Sequence, residues 1–180
     1  MLSEVIFSGF GGQGVLTIAK QLAYTAMLDD KEVCWMPSYG PEMRGGTASC
    51  TVSVSDKQIS SPILETYDVA VVLNLPSLTK FEPTVKKGGL LIWESSTIKD
   101  NPTRDDITVV AIPAYEEATK LGNTLVMGMI LLGAFIQKTG VISIDGVVAA
   151  LRKTLPERRH NLIPLNEAAL RKGFEIAEKQ

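Results

Sequence analysis

The chain has 180 residues, of which 45% are hydrophobic and 21% charged, and its formal net charge is −2. These values are typical of a folded soluble protein and exclude a disordered or fibrous one. The basic residues are scattered, so the sequence gives no reason to expect a nucleic-acid partner. We also expect no membrane association and a cytoplasmic location, because the start lacks a secretory leader and the most apolar run, residues 125–136, is too short to span a bilayer.

The first predicted elements are a strand at residues 4–7, a glycine-rich turn at residues 9–14 and a helix at residues 15–28. Apolar residues recur at helical spacing through the third segment. The order strand, glycine turn, helix is therefore predicted for the start of the chain.

The next segment predicts a strand at residues 32–36 that Pro37 ends, and then a loop rich in proline and glycine. Residues 47–55 have the Thr, Val and Ser composition of a strand. The turn that follows leads toward Ile63, so a hairpin with a further short strand is expected there.

The remaining segments alternate strands and helices before a helical tail. Apolar runs predict strands at 68–73, 89–93 and 107–112, with a helix at 76–85. Helices are predicted at 115–121, 123–139, 143–154 and 165–179, with Asn123 and Ser143 as N-caps.

This alternation predicts the α/β fold class. We expect a Rossmann-like, open and mostly parallel sheet with helices on both faces and a C-terminal helical portion. No linker interrupts the sequence, so residues 1–180 are expected to form a single domain. Its sheet core would lie at about 1–113 and its helical part at about 114–180.

The glycine turn has the spacing of a phosphate-binding loop. Gly9, Gly11 and Gly14 form a G-x-G-x-x-G pattern with Gly12 and Gln13 between them. Glycine permits a tight turn and a close backbone approach, and a helix N-terminus offers free N–H groups to an anion. A dinucleotide site also needs an acid near the end of the second strand, but that strand ends in Trp35-Met36-Pro37. A phosphate cradle and a purely structural turn both stay open.

The segment SYGPEMRGGTASC, residues 38–50, is the second candidate. Arg44, beside Gly45 and Gly46, suits a phosphate or carboxylate because a guanidinium binds either group bidentately. Packing of this segment against a neighbouring subunit is the alternative, and the two are compatible.

We identify no catalytic residue and no metal site. The single histidine, His160, has no companion at ligand spacing. Cys34 and Cys50 are expected to be buried, reduced thiols, and two cysteines cannot ligate a four-cysteine iron–sulfur cluster. Carboxylates such as Glu94 are explained by capping and helix-dipole interactions.

Five motifs in one order resemble a known family. They are GFGGQG (9–14), SYGPEMRGGTASC (38–50), Ser-Asp at 55–56, Asn74 followed by PSLTKFEP (76–83), and KKGGLLI (86–92). Together they are similar to the gamma subunit of the 2-oxoacid:ferredoxin oxidoreductases, most closely the 2-oxoglutarate and ketoisovalerate members of the pyruvate/ketoisovalerate oxidoreductase catalytic domain family.

The resemblance implies one part of a multi-subunit oxidoreductase. The complex would convert a 2-oxoacid and coenzyme A into an acyl-CoA, carbon dioxide and reduced ferredoxin. Thiamine diphosphate, Mg and the Fe-S clusters would belong to alpha, beta and ferredoxin-like delta subunits. This chain would have no cofactor of its own, would be inactive alone and could self-associate as a homodimer.

The resemblance implies that the glycine turn is either a turn at a subunit contact or a phosphate cradle, and coenzyme A is the candidate ligand of such a cradle. The implied cofactor-binding residues are Gly9, Gly11, Gly12, Gln13, Gly14, Arg44, Gly45 and Gly46. A stand-alone dinucleotide-binding oxidoreductase and a scaffold module that binds coenzyme A or another nucleotide are the alternatives. By resemblance, SYGPEMRGGTASC favours 2-oxoglutarate or 2-oxoisovalerate over pyruvate or indolepyruvate, and 2-oxoglutarate is the expected substrate of the complex. The choice itself would be made where the substrate meets thiamine diphosphate, on another chain.

Overall fold

The computed structural model describes residues 1–39 and 46–180. In these residues the strands are β1 (Leu2–Phe10), β2 (Glu32–Tyr39), β3 (Thr47–Ser55), β4 (Tyr67–Val72), β5 (Val85–Glu94) and β6 (Thr108–Ile112). The α-helices are α1 (Val15–Leu28), α2 (Leu75–Phe81), α3 (Ala114–Lys120), α4 (Met127–Thr139), α5 (Ile144–Thr154) and α6 (Ile163–Glu178). Short 3₁₀ turns cover Glu82–Thr84, Thr124–Val126 and Glu157–Leu162.

The described strands form one sheet in the order β2-β3-β1-β4-β5-β6. The pairs β1–β4, β4–β5 and β5–β6 are parallel, whereas β3 runs antiparallel to both β1 and β2. The predicted α/β class with a mostly parallel sheet is confirmed. The predicted hairpin after β3 is wrong. Strand β3 pairs with β2, which precedes it in the chain, and residues 56–66 contain no strand.

The second strand does not end at Pro37. It continues to Tyr39, with Pro37 opposite Cys50 of β3. A central strand donates backbone N–H groups to neighbours on both sides, and proline has no N–H to donate. An edge strand has a neighbour on one side only, so a proline on its free side breaks no hydrogen bond. Because β2 is the edge strand, the ladder accommodates Pro37, and the prediction of a strand break there is wrong.

The two faces of the sheet are covered unequally. One face packs against α1, α4 and α6 in the larger core, to which β1 contributes Val5 and Phe7 and which α3 and α5 also join. The other face packs against α2 and the segment around Ile98 in a smaller core. Strand β3 alternates accordingly: Ala48, Cys50, Val52 and Val54 are buried in the larger core, and the residues between them are all serine or threonine.

Helices α4 and α6 cross at backbone contact. A Cβ on Gly133 would lie 1.9 Å from the Leu170 carbonyl oxygen, and one on Gly173 would lie 1.7 Å from the Ile130 carbonyl oxygen. No side chain fits in either place, so only glycine permits this approach. The crossing fixes α6 to α4, and the ten residues from Met127 to Ile136 are buried.

The predicted helix caps are confirmed. Asn123 Oδ1 accepts from the Leu125 N–H at 3.0 Å, and Ser143 Oγ accepts from the Gly146 N–H at 3.0 Å. The apolar run that begins at Leu125 is a buried core helix as expected, except that Leu125 itself is exposed. Across residues 1–39 and 46–180, no helix combines the length and apolar character that crossing a membrane requires.

Both cysteines are free thiols. Cys50 is fully buried, and burial raises the pKa of its thiol to about 12 although a hydrogen bond from the Met36 backbone opposes the shift. Cys34, on the edge strand, is only partly buried. The prediction of two buried thiols therefore holds for Cys50 and is wrong for Cys34.

Candidate functional site

The glycine turn joins β1 to α1 at the carboxyl end of β1. Gly12 and Gly14 have φ values of +98° and +81°, in the left-handed region that favours glycine. The Gln13 N–H donates to the Phe10 carbonyl at 3.1 Å and closes the turn. The turn places Gly14 as the residue that caps α1.

Among the described residues, no side chain caps the start of helix α1. Gly14 provides no side-chain cap, and the first turn contains no acidic residue. The first N–H groups of a helix have no partner inside it, and the dipole makes this end attractive to anions. A Cβ on Gly12 or Gly14 would meet no atom of residues 1–39 or 46–180 within 4 Å. The turn is therefore open to an anionic group such as a phosphate.

The two sequence motifs meet at this turn. The Gly11 N–H donates to the Gly46 carbonyl at 2.8 Å, which ties the start of β3 to the glycine turn. Of the predicted site residues, Gly9, Gly11, Gly12, Gln13, Gly14 and Gly46 lie together here. Arg44 and Gly45 lie outside the described residues.

Gln13 is turned inward, which the sequence did not reveal. Its Oε1 accepts from the Phe10 N–H at 2.6 Å, and its Nε2 donates to the Leu73 carbonyl at 3.2 Å. The side chain thus bridges the ends of β1 and β4. It also explains Gly9, where a Cβ would lie 2.7 Å from Gln13 Oε1 and 2.9 Å from Leu73 Cβ.

The bridge lies at the switch point of the sheet. From β1 the chain continues through α1 toward β2, and from β4 it continues through α2 toward β5, on the other side. Open α/β sheets bind ligands in the crevice where the strand order reverses. Gln13 therefore lies where many proteins of this fold class bind their ligands.

Two cavities flank Gln13 at this edge. The larger, about 560 Å³, is lined by the glycine turn and the start of α1 and also by Tyr115 and Leu125. The smaller, about 360 Å³, lies above β4 and the start of α2. Both cavities are lined in part by Phe10, Gln13, Tyr115 and Met127.

The rim of the cavities is apolar. Phe10, Leu75, Tyr115 and Leu125 are 37%, 40%, 46% and 81% exposed. An exposed group of large apolar side chains beside a crevice marks a surface for a ligand or a protein partner. Tyr115 is packed only in part, since nearly half of it faces solvent at this rim.

Glu94 supports the wall of the smaller cavity. It is fully buried at the end of β5 and accepts hydrogen bonds from the backbone N–H groups of Ser96, Thr97 and Tyr115 and from the hydroxyls of Ser96 and Thr97. Burial by itself raises the pKa of a carboxyl, but these donors outweigh it and hold the pKa of Glu94 below its ordinary value. The predicted capping role of Glu94 is confirmed, and it positions Thr97 and Tyr115.

Asn74 contributes a buried polar group to the same cavity. Its Oδ1 accepts from the Ser77 N–H at 2.8 Å and caps α2. Its Nδ2 has no hydrogen-bond partner among the described residues. The sequence analysis named Asn74 only as part of a motif and gave the residue no role. Whether its amide has a hydrogen-bond partner depends on the three-dimensional structure.

The geometry disfavours a dinucleotide at the glycine turn. A ribose-binding acid would normally lie at the end of the strand beside β1. Here antiparallel β3 separates β2 from β1, and residues 35–38 at the end of β2 include no acid. Within residues 1–39 and 46–180, no three His, Cys, Asp or Glu side chains are grouped as metal ligands.

Comparison with known proteins gives consistent matches. The family model described as pyruvate ferredoxin/flavodoxin oxidoreductase matches residues 4–176. The chain is 30% identical to the 2-oxoglutarate synthase subunit KorC of Methanocaldococcus jannaschii, over 99% of this chain and 96% of that protein.

Two further matches differ in how much of the other protein they cover. The chain is 34% identical to the ketoisovalerate oxidoreductase subunit VorA of Methanothermobacter marburgensis over 98% of its own length, but it spans only 37% of that relative. The crystal structure of a keto/oxoacid ferredoxin oxidoreductase gamma subunit from Geobacter sulfurreducens superposes with a TM-score of 0.84, at 29% identity and 99% coverage of both chains.

Proposed function

Because the chain belongs to the pyruvate ferredoxin/flavodoxin oxidoreductase family, we propose that it is the gamma subunit of a multi-subunit 2-oxoacid:ferredoxin oxidoreductase. The complex would decarboxylate a 2-oxoacid, transfer the acyl group to coenzyme A and pass two electrons to ferredoxin. The gamma-subunit structure that matches over 99% of both chains supports this assignment. A cytoplasmic location is part of the proposal.

We propose 2-oxoglutarate as the substrate of the complex. The support is the KorC relative, a subunit of a 2-oxoglutarate synthase, which matches over nearly its whole length. The ketoisovalerate relative has higher identity but is a much longer protein. Substrate choice would be made on a partner subunit, so a branched-chain 2-oxoacid is the competing outcome of the test below.

The observation that carries the coenzyme A contact is the uncapped start of α1. Coenzyme A brings a pyrophosphate and a 3′-phosphate, and among the described residues the Gly12–Gly14 backbone leaves open space beside the first N–H donors of α1, whose first turn contains no acid. When bound, coenzyme A would supply the thiol that accepts the acyl group. The turn would hold a phosphate, and Arg44 is proposed as a second phosphate contact.

The redox and carbanion chemistry is assigned to partner chains. Thiamine diphosphate, Mg and the Fe-S clusters would belong to alpha, beta and ferredoxin-like delta subunits, since two cysteines cannot hold a four-cysteine cluster. This chain would position coenzyme A and complete the assembly. Expressed alone, it is expected to be inactive and could cover its apolar rim by forming a homodimer.

Purification of the tagged chain under anaerobic conditions from its host tests the subunit assignment. We expect co-elution with a chain that binds thiamine diphosphate, together with iron. Activity with a panel of 2-oxoacids then identifies the substrate. An iron-free chain that elutes alone would overturn the proposal.

Substitution of Gly14 tests the coenzyme A contact in the purified complex. Gly14→Ala places a Cβ at the proposed phosphate position and should raise the KM for coenzyme A without changing the KM for the 2-oxoacid. Gly122→Ala is the matched control, because Gly122 has φ +83°, also has open space and lines neither cavity. Equal KM values for coenzyme A in both variants would remove this chain from the coenzyme A site.

A further inference from the structure

Gln13 is the one residue from 11 to 14 that is not glycine, and both polar ends of its side chain have partners inside the protein. Oε1 accepts from the Phe10 N–H at 2.6 Å, and Nε2 donates to the Leu73 carbonyl at 3.2 Å. These partners fix the orientation of the amide, because an N–H only donates and a carbonyl only accepts. The side chain therefore connects the glycine turn to the residue that follows β4.

Gly9 makes room for this connection. A Cβ on Gly9 would lie 2.7 Å from Gln13 Oε1 and 2.9 Å from Leu73 Cβ, so a side chain there would displace the amide. The far end of the connection is a fixed part of the sheet. Leu73 is fully buried, and its N–H donates to the Ser8 carbonyl at 2.9 Å. Gln13 thus links the turn to a firmly packed position.

The rest of the turn is held by few contacts. Gly12 and Gly14 have positive φ values, and a Cβ on either would meet no described atom within 4 Å. Glycine has more backbone freedom than any other residue, so ordering three glycines in four positions costs much conformational entropy. The backbone bond from the Gln13 N–H to the Phe10 carbonyl closes the turn, and the Gln13 side chain adds two bonds to it.

The larger cavity depends on the shape of this turn, because all of residues 10–14 line it. A wall that is ordered before the ligand arrives lowers the entropic cost of binding. We propose that Gln13 is a positioning residue for coenzyme A. Its two hydrogen bonds hold the turn in the shape that keeps the larger cavity open, and its amide does not contact coenzyme A itself. The inference rests on the proposed contact of the turn with coenzyme A, and it differs from the direct contact that the resemblance implied for Gln13.

Gln13→Met in the purified complex tests this role. Methionine is unbranched and similar in length, but it can make neither hydrogen bond. We expect the KM for coenzyme A to rise about tenfold, while kcat and the KM for the 2-oxoacid stay within about twofold of the wild type.

Gln180→Met is the matched control. Gln180 Oε1 accepts from the Ala111 N–H at 3.0 Å, and its Nε2 donates to the Ala111 carbonyl at 2.8 Å. The substitution removes the same two kinds of bond from a residue that lines neither cavity, so all three kinetic values should stay within about twofold.

Hydrogen–deuterium exchange, read by mass spectrometry at residue resolution, supplies a measurement that does not depend on activity. It follows the backbone N–H groups of Phe10, Gly11 and Gln13, which are all hydrogen-bonded. In the wild-type complex they should exchange slowly before coenzyme A is added, and Gln13→Met should speed their exchange about tenfold. Slow exchange that develops only after coenzyme A is added would overturn the inference without any variant.

The two measurements together distinguish the competing roles. A raised KM without faster exchange would make Gln13 a direct contact, and faster exchange with an unchanged KM would make it purely structural; either result overturns the inference. If Gln13→Met prevents assembly, Gln13→Asn replaces it, because asparagine keeps the amide but is too short to reach both partners. It should raise the KM for coenzyme A in the same direction.

Gly14→Ala separates this inference from the function on which it rests. If Gly14→Ala raises the KM for coenzyme A and Gln13→Met does not, the positioning role fails and the coenzyme A contact stands. If neither variant changes that KM, both proposals fail.

Discussion

Glycine has opposite roles in two regions of this molecule. In the turn at Gly12 and Gly14 it permits positive φ values, and an added Cβ would meet no described atom within 4 Å. In the crossing of α4 and α6, at Gly133 and Gly173, an added Cβ would lie less than 2 Å from a carbonyl oxygen of the other helix. The first pair leaves space for a ligand, whereas the second removes space between helices.

The difference shows why only one pair can be recognised from sequence. The turn glycines follow a spacing that is fixed by the local path of the chain. The helical glycines are separated by forty residues of sequence, and each is explained only by the helix packed against it. Substitutions should therefore affect ligand binding in the turn and stability in the crossing.

The largest expected effect is that of Gly173→Ala. The added Cβ would lie 1.7 Å from the Ile130 carbonyl oxygen, which is backbone and cannot rotate away. Helices α4 and α6 must then separate, and we expect a loss of about 3 kcal/mol or more in the free energy of unfolding. Urea denaturation followed by circular dichroism measures this loss. A variant within about 1 kcal/mol of the wild type would show that the crossing is not close-packed in solution.

Glu94→Gln tests a buried residue that supports the wall of the smaller cavity. The substitution removes a charge that accepts several hydrogen bonds, and we expect a loss of about 2 kcal/mol at pH 7. The folded-state pKa of Glu94 lies below its ordinary, unfolded-state value, so the stabilisation is fully present above the unfolded-state pKa and is lost as pH falls through the folded-state pKa. The difference between wild type and variant should therefore shrink in acid.

Urea denaturation at pH 7 and at several values below pH 4.5 measures this pH dependence. Glu117→Gln is a useful control, because Glu117 is a helical carboxylate paired with Lys120 and lies outside both cavities. A difference for Glu94→Gln that grows in acid would contradict the assigned direction of the pKa shift.

Gly14→Ala should change stability less. Its Cβ has open space, so the cost is the left-handed backbone at φ +81°, about 1 kcal/mol. Thermal unfolding measures this cost beside Gly122→Ala, which has φ +83° and should lose a similar amount. Loss of coenzyme A affinity in Gly14→Ala alone, at matched stability, would separate the binding role of the turn from its conformation.

Gly146→Ala should have the smallest effect. Gly146 lies in α5, and the atoms nearest to its added Cβ would be side-chain atoms, with Ser143 Oγ and Thr25 Cγ2 at 3.0 Å and Asp29 Oδ2 at 4.0 Å. Alanine favours the helix by about 1 kcal/mol, and the tight contacts oppose that gain. We expect a net change within about 1 kcal/mol in urea denaturation. A loss as large as that of Gly173→Ala would show that helical glycine itself, rather than backbone contact, causes the effect.

The fold could be predicted from sequence wherever local chemistry determined the structure. Residues 15–28 formed the predicted helix, and Asn123 and Ser143 capped helices as expected, because periodicity and capping are local. The partners of β3 could not be predicted, because strand pairing depends on residues far away in sequence. Pro37 was misjudged for the same reason, since its effect depends on whether β2 is at the edge.

The candidate site shows the same division. The glycine spacing indicated the turn, and the meeting of Gly11 with Gly46 agrees with the two motifs that were singled out. The inward turn of Gln13 and the unpaired Nδ2 of Asn74 depend on the approach of β1 to β4, and no short motif encodes that approach. The role of Arg44 stays a prediction.

Pro37 also bears on how the sheet meets its surroundings. An edge strand presents a row of backbone donors and acceptors to which a strand of another molecule can add. In β2 this row includes a proline, which cannot donate, opposite Cys50. Lateral growth of the sheet beyond β2 is therefore discouraged, and the chain can display an apolar rim at the carboxyl edge of the sheet without also inviting strand-by-strand aggregation along its side.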